Sequence, residues 1–434
     1  MTNRIKEDEE LKYFKLRCPI HKKMIDFQKK ILANGLTVIA HTDNSTPMAA
    51  VNLLYKVGSR NEEPERTGFA HLFEHLMFSG SANVPDFDTP IQIAGGENNA
   101  FTNNDYTNYY IALPKENIET ALWLESDRMA ALNFAEQPLN VQKRVVIEEF
   151  SQRYLNQPYG DLWLLLRPLC YQRHPYRWAT IGISPEHIER ATLEDVRAFF
   201  RKYYLPNNAI LSIAGDFSCD EIFELAEKWF GYIPGGEAVN DILPQELPQC
   251  EQRILEVERD VPVSVIYITF PMAERASREF VVCDVISDLL SNGTSSRLYQ
   301  RLIKDNTLFS SVNAYVTGEL DGGLFVVTGR VQQGVSIELA EEALWLELER
   351  LNDIEDVELE KVKNKFEANN IFSEINVLNK AMNLAFFEMV GDAALINGEV
   401  EEHKSVTKEE IYSVCKRLLS PQRSNVLRYK SLSE

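Results

Sequence analysis

The residues best suited to chemistry lie close together in the chain. His71, Glu74 and His75 have the spacing H-x-x-E-H, the inverted form of a zinc-protease motif. Histidines four positions apart project from one face of a helix, so both imidazoles could bind the same ion. A carboxylate beside that ion is suited to take a proton from water. The spacing therefore predicts Zn²⁺-dependent hydrolysis of a peptide bond, with His71 and His75 as ligands and Glu74 as the general base.

A helix is needed to place these side chains, and the intervening residues favour one. Leu72, Phe73, Leu76 and Met77 supply apolar side chains that can pack into a core. Chance placement of two histidines on a buried helix is the simpler alternative. A second alternative is a non-catalytic peptide-binding or assembly subunit with a structural or vestigial zinc site. Structural zinc is normally closed by four protein ligands and gains nothing from an acid/base carboxylate, so Glu74 favours catalysis.

A third metal ligand is expected from a second helix, predicted over residues 141–154. Glu148 and Glu149 both lie in it. Neighbouring residues of a helix point about 100° apart, so at most one of the two carboxylates can face the ion. Spacing alone does not choose between them.

A strand that could hold the substrate follows Gly95 and Gly96. A peptide can bind by adding a strand to the exposed edge of a sheet, and a small residue such as Ala100 lets another backbone approach. An ordinary internal strand is the alternative. The residues predicted to contact the peptide are Asn99, Ala100, Phe101 and Thr102.

Taken together, these segments resemble the M16 zinc metallopeptidases, the family that includes pitrilysin and the mitochondrial processing peptidase. The resemblance covers nearly the whole chain and is carried by residues 68–78, 95–102, 145–149, 203–209 and 213–216. It implies that Glu149 is the third zinc ligand. It also implies the fold shared by LuxS metalloenzymes and M16 peptidases, and a chamber that admits short or unfolded peptides.

One departure from the family pattern concerns the second half of the chain. Family members that cleave peptides alone or as homodimers present an Arg and a Tyr seven positions apart, and this chain has Ile303 and Ser310 there. The chain thus resembles the short zinc-bearing subunit of the heterodimeric members, and a non-identical M16-like partner is expected to supply the Arg and Tyr. Arg297, Tyr299 and Arg301 lie nearby and could serve instead, in which case the chain would form a homodimer.

An internal repeat with an offset of 215 residues indicates a duplicated domain. Each copy has a Thr followed by an acidic residue three positions later, then a helix, a proline and a strand. At this offset the residues of the H-x-x-E-H motif fall on apolar side chains, so the second copy lacks the metal site. The matching positions are Thr192 and Thr407, Pro206 and Pro421, and the predicted strands 48–55 and 263–270. His71, Glu74 and His75 fall on Ile286, Leu289 and Leu290.

The fold class expected from this repeat is α+β, with two homologous sheet-plus-helix domains. A chain of 434 residues suits two domains of about 200 residues better than one core. Residues 235–250 are rich in Gly, Pro and acidic residues and read as a linker. We therefore predict an N-terminal extension over residues 1–24, a catalytic zinc-binding domain over 25–234, and a second domain without a metal site over 251–434.

Charge and hydropathy limit the partners. A formal net charge of −20 argues against nucleic acid, whose phosphates need a basic surface. No run of about 18 apolar residues is present, so no membrane span is expected. The first residues lack the pattern of a signal or transit peptide, and the six cysteines form no C-x-x-C pair. We expect free thiols and a cytoplasmic protein.

Overall fold

The computed structural model describes residues 24–432, so the predicted extension before residue 24 lies outside the described residues. Two β-sheets with helices packed on them form the structure, and the first sheet has six strands. They are β1 (Gln28–Ile31), β2 (Thr37–Thr42), β3 (Met48–Tyr55), β4 (Glu97–Thr102), β5 (Thr107–Pro114) and β6 (Ala209–Gly215). Their order in the sheet is β1-β2-β6-β3-β5-β4, and only β2 and β6 pair in parallel. The strand β4 therefore lies at an edge.

The second sheet repeats this arrangement with five strands. They are β7 (Arg253–Arg259), β8 (Val265–Pro271), β9 (Phe309–Val316), β10 (Leu324–Val331) and β11 (Asn425–Ser431). Their order is β7-β11-β8-β10-β9, with β7 and β11 parallel and the other pairs antiparallel. Apart from β1, each strand of the first sheet has a counterpart at the same place in the second. The predicted α+β class and the duplication are confirmed.

Fourteen α-helices lie in the described part of the chain. In the first half they are α1 (Phe69–Leu76), α2 (Asp88–Ile93), α3 (Ile118–Ala130), α4 (Glu136–Phe150), α5 (Leu162–Cys170), α6 (Pro185–Glu189), α7 (Leu193–Tyr203) and α8 (Cys219–Phe230). In the second half they are α9 (Arg278–Ser291), α10 (Ile337–Glu349), α11 (Asp356–Ser373), α12 (Val377–Val390), α13 (Glu399–Lys404) and α14 (Lys408–Leu418). None of the helices between residues 24 and 432 has the length and apolar character needed to cross a membrane.

The repeat is also visible in the helix ends. Thr192 and Thr407 each begin a helix with a capping box, closed by Asp195 and by Glu410. In the second half, the positions that match the H-x-x-E-H motif lie in α9 and are fully packed into the core. They are Ile286, Leu289 and Leu290, at 0%, 3% and 0% exposure. These apolar side chains occupy the positions that His71, Glu74 and His75 have in the first half.

Each half contributes a helix to the sheet of the other half. In α5, Leu162 and Leu166 pack with Val265 and Leu427 of the second sheet. In α12, at the same repeat offset, Leu384 and Ala385 pack with Ile39, Leu54 and Ile210 of the first sheet. Residues 235–250 contain no helix or strand. The division into domains 25–234 and 251–434 stays a prediction. Each sheet is covered in part by a helix that belongs to the other half of the chain.

The helix predicted over residues 141–154 has different bounds. It begins at Glu136, five residues earlier. Pro138 is compatible with this start, because the N–H groups of the first helical turn have no acceptor within the helix and a proline there costs no hydrogen bond. The α-helix ends at Phe150, and residues Ser151–Leu155 continue it as a π-helical turn. The sequence prediction missed the N-terminal residues of the helix because it followed the apolar periodicity alone, and its predicted end lies within the π-helical turn.

Candidate metal centre

The N-cap of the motif helix α1 is Gly68, whose φ of +87° suits a glycine. A buried carboxylate holds this helix end: the N–H groups of Gly68 and Ala70 donate to the two oxygens of Glu62, at 2.9 and 2.8 Å. Glu62 is 7% exposed. Its oxygens satisfy N–H donors that the start of a helix leaves free, and burial raises the pKa of Glu62 to about 8. Sequence reasoning missed Glu62, because it lies six residues before Gly68, outside the spacing of a capping box.

Three side chains from α1 and α4 converge at one point. The Nε2 atoms of His71 and His75 lie 3.7 and 3.4 Å from the Oε1 and Oε2 atoms of Glu149. Their ligand atoms all lie within 4.8 Å of one another, the only such cluster found in residues 24–432. Ligand atoms of a tetrahedral zinc ion are about 3.4 Å apart, given bonds of about 2.0–2.2 Å. The spacing of this cluster suits a zinc ion.

The structure brings Glu149 to the histidines and points Glu148 elsewhere. Glu148 is exposed, and its carboxylate accepts a hydrogen bond from Gln152 Nε2 at 2.8 Å. Adjacent helix positions diverge by about 100°, which leaves only one of the two beside the imidazoles. Glu149 is the carboxylate that the family resemblance favoured.

The protonation states of the cluster suit a metal ion. Burial lowers the pKa of His71 to about 4, so its imidazole is neutral at neutral pH. The hydrogen bond from His75 is the main cause that lowers the pKa of Glu149, and this outweighs the opposing effect of burial. A histidine binds a metal ion as a neutral imidazole, and a glutamate binds it as an ionised carboxylate. In addition, His71 Nδ1 is buried and has no hydrogen-bond partner among the described residues.

Glu74 lies on the same helix as the two histidines, but its hydrogen-bond partner lies in strand β4. Its Oε2 accepts a hydrogen bond from the Thr102 hydroxyl at 2.6 Å. Burial raises the pKa of Glu74, although the Thr102 hydrogen bond lowers it in part. A carboxylate with a raised pKa, fixed through one oxygen, can exchange a proton through the other.

The four predicted substrate residues lie in the edge strand β4 and divide between its two faces. Thr102 and Ala100 face the core beneath α1, where Ala100 packs against the buried cluster. Phe101 faces the opposite side, with its ring 5.6 Å from that of Tyr106. Asn99 Oδ1 accepts a hydrogen bond from the Ala100 N–H at 2.8 Å. This N–H is therefore turned away from β5, toward the open edge.

The chain is similar to a group of known proteins. Residues 37–159 match the family model described as Insulinase (Peptidase family M16), and residues 190–366 match the Peptidase M16 inactive domain. The zinc protease PqqE of Helicobacter pylori is 32% identical over 340 residues, which are 76% of either chain. The chain belongs to peptidase family M16.

The crystal structure of a protease from Helicobacter pylori superimposes with a TM-score of 0.89 and 27% identity, covering 94% of this chain and all of that one. A probable mitochondrial-processing peptidase subunit beta of Arabidopsis thaliana is 26% identical over 311 residues, 68% of this chain and 58% of that one.

Ile303 and Ser310, where the family resemblance led us to expect an Arg and a Tyr, lie in the second half. Ile303 packs against the core of that half, and the Ser310 hydroxyl donates to the Arg330 carbonyl at 3.3 Å. Arg297 is buried and donates to Glu358 at 2.7 Å, while Arg301 pairs with Glu347 at 2.8 Å. Both arginines therefore have structural partners.

Loss of the Glu62 carboxylate should weaken the motif helix. In Glu62→Ala, the N–H groups of Gly68 and Ala70 lose their acceptors in a buried place, which costs about 1–3 kcal/mol. We expect a lower melting temperature and weaker zinc binding, because His71 follows directly. Glu63→Ala, next in sequence and exposed, is the matched control. An unchanged melting temperature in Glu62→Ala would contradict this role.

Proposed function

We propose that the chain is a zinc-dependent endopeptidase and the catalytic subunit of a heterodimer. The observation that carries this proposal is the convergence of His71, His75 and Glu149 beside Glu74, next to an open sheet edge. Membership of M16 and the likeness to proteins named zinc proteases support the same reaction. Peptides or unfolded segments are the proposed substrates.

His71, His75 and Glu149 would hold the zinc ion, and three protein ligands are the number typical of a catalytic site. When bound, zinc supplies Lewis acidity toward water and a peptide carbonyl. Glu74 would take the proton of the attacking water on Oε1, since Thr102 occupies Oε2. The same oxygen would then deliver the proton to the nitrogen of the leaving amine.

The peptide is proposed to bind as an additional strand along β4. This strand has no neighbour on its outer side, and an extended backbone could hydrogen-bond there. The Ala100 N–H points to that side and is held by Asn99, so the Asn99 side chain must turn away when a peptide carbonyl takes its place. Ala100 and Thr102 would lie toward the reacting bond, and Asn99 and Phe101 on the other face.

A non-identical partner is proposed because Ile303 and Ser310 offer no side chain that could replace an Arg and a Tyr. The similarity to a subunit of a probable processing peptidase supports this assembly. The alternative is a homodimer. Nucleic acid and membrane are not expected partners, given a net charge of −20 and the absence of a spanning helix in the described residues.

The cytoplasm is the proposed compartment. Disulfides are rare there, and the described cysteines are free thiols. These cysteines are Cys170, Cys219, Cys250, Cys283 and Cys415. Fractionation of the native cells with an antibody against the chain would test this location.

The function can be tested with quenched fluorescent peptides and the purified, zinc-loaded chain. Hydrolysis would be measured with the chain alone and after mixing with any protein that co-purifies from the native source. Activity that needs mixing would support the heterodimer, and activity of the chain alone would support the homodimer. A zinc-loaded chain that cleaves nothing in either state would contradict the peptidase proposal.

Removal of the Thr102 hydroxyl should slow catalysis. A hydrogen bond to a charged group contributes about 1.5–3 kcal/mol, so Thr102→Val is expected to lower kcat by roughly ten- to a hundredfold. KM and zinc content should change little, because the methyl group fills the space of the hydroxyl. Thr102→Ser keeps the donor and should restore most of kcat. Equal kcat in the Val and Ser variants would show that the contact has no role in the reaction.

A further inference from the structure

Glu149 has another partner besides the two histidines. Arg153 Nη1 lies 2.6 Å from Glu149 Oε1, and the arginine side chain is 68% exposed. Arg153 lies in the π-helical turn Ser151–Leu155 that follows α4. In a helix a residue four positions later lies above the same face, so the guanidinium reaches back over the carboxylate. A positive charge thus lies beside the three side chains His71, His75 and Glu149.

The two oxygens of Glu149 are therefore not equivalent. Oε1 forms the 2.6 Å ion pair with Arg153 and lies 3.7 Å from His71 Nε2. Oε2 lies 3.4 Å from His75 Nε2. A carboxylate can bind a metal ion through one oxygen or through both. Binding through both would fill a coordination position that a catalytic zinc site keeps for water or substrate.

We propose that Arg153 is a positioning residue that restricts Glu149 to binding the metal ion through Oε2 alone. Its ion pair with Oε1 opposes the rotation of the carboxylate that would turn both oxygens to the ion. The guanidinium also repels a divalent cation a few ångströms away, so it weakens metal binding while it keeps a coordination position open. This role rests on the proposed zinc site.

This role and ordinary support of a ligand have opposite consequences for metal affinity. A residue that only orients a ligand lowers metal affinity when it is removed, typically by 10- to 100-fold. Removing Arg153 under the proposed role also removes a repulsive charge and lets the second oxygen bind. The variant should therefore hold zinc more tightly while it hydrolyses peptides more slowly.

The test compares Arg153→Gln with wild type, Arg153→Lys and Arg144→Gln. Arg144 is an exposed arginine of the same helix whose Nε donates to the Asn140 carbonyl, so its variant removes the same charge without a contact to Glu149. Zinc affinity would be measured by competition with a chromophoric chelator. Coordination number would be followed by the visible absorption of the Co²⁺-substituted protein, which is weaker for five than for four ligands.

We expect Arg153→Gln to bind zinc roughly five- to tenfold more tightly. Its Co²⁺ absorption should weaken, and kcat should fall about tenfold. Arg153→Lys should lie between this variant and wild type, and Arg144→Gln should match wild type.

Equal or weaker zinc binding by Arg153→Gln, or an unchanged Co²⁺ spectrum, would overturn the proposal. A wild-type chain that binds zinc but cleaves no peptide would contradict the proposed function and leave the role of Arg153 standing. A wild-type chain that binds no zinc would overturn both.

Discussion

Glu74→Gln is expected to lower kcat for peptide hydrolysis by about 10²- to 10⁴-fold and to leave the zinc content unchanged. Glutamine has nearly the same shape, and its amide oxygen can still accept the hydrogen bond that Thr102 donates to Glu74. The amide cannot take a proton from water, however. Since the proposed ligands are His71, His75 and Glu149, the metal site itself should be intact. Steady-state kinetics with a fluorescent peptide and metal analysis of the same sample measure both quantities.

A matched control is Glu148→Gln, the same substitution on an exposed carboxylate beside Glu149. This variant should keep both zinc and activity, because Glu148 bonds only to Gln152 among the described residues. If Glu74→Gln retained full activity, the proton would have to be moved by another group. If the zinc-loaded wild type and Glu74→Gln were equally inactive but bound the same peptides, the chain would be the non-catalytic binding subunit.

The parts of the site that could be predicted are those encoded by local spacing. His71, Glu74 and His75 lie within one and a half turns of one helix, so their common location follows from the sequence. The strand β3 was likewise predicted with its observed bounds, Met48–Tyr55, because an apolar run of this kind is typical of a buried strand. The choice of Glu149 needed the family resemblance, since it depends on how α4 is rotated against α1.

Other features depend on contacts between distant segments, and no local pattern reports them. Glu62 holds the motif helix through two backbone N–H groups, which any residue except proline would supply. The contact between Thr102 and Glu74 requires β4 to pass beside α1. The duplication was readable from the repeat, but α5 and α12 look like ordinary amphipathic or apolar helices. Their sequences alone do not predict that each helix packs on the sheet of the other half.

That exchange of helices predicts that neither half will fold alone. Splitting the chain after Ile242, which is 97% exposed, breaks no strand or helix. The first fragment would nevertheless expose Ile39, Leu54 and Ile210, which α12 covers in the intact chain. Each fully buried apolar side chain contributes about 1.5–3 kcal/mol, and a whole domain is stable by only about 5–15 kcal/mol. Uncovering several such residues removes most of that stability.

We therefore expect each fragment to aggregate or to lack a cooperative thermal transition when it is expressed alone. Co-expressed fragments should assemble, co-purify and melt as one unit, because both exchanged helices can then reach their sheets. A point substitution tests the same contact in the intact chain. Leu384→Ala, at 0% exposure, should destabilise the whole protein by about 2–5 kcal/mol, whereas Leu395→Ala, at 48% exposure, should have little effect. A first fragment that is monomeric and melts cooperatively would mean that its sheet needs no cover from α12, and the two halves would then be independent domains.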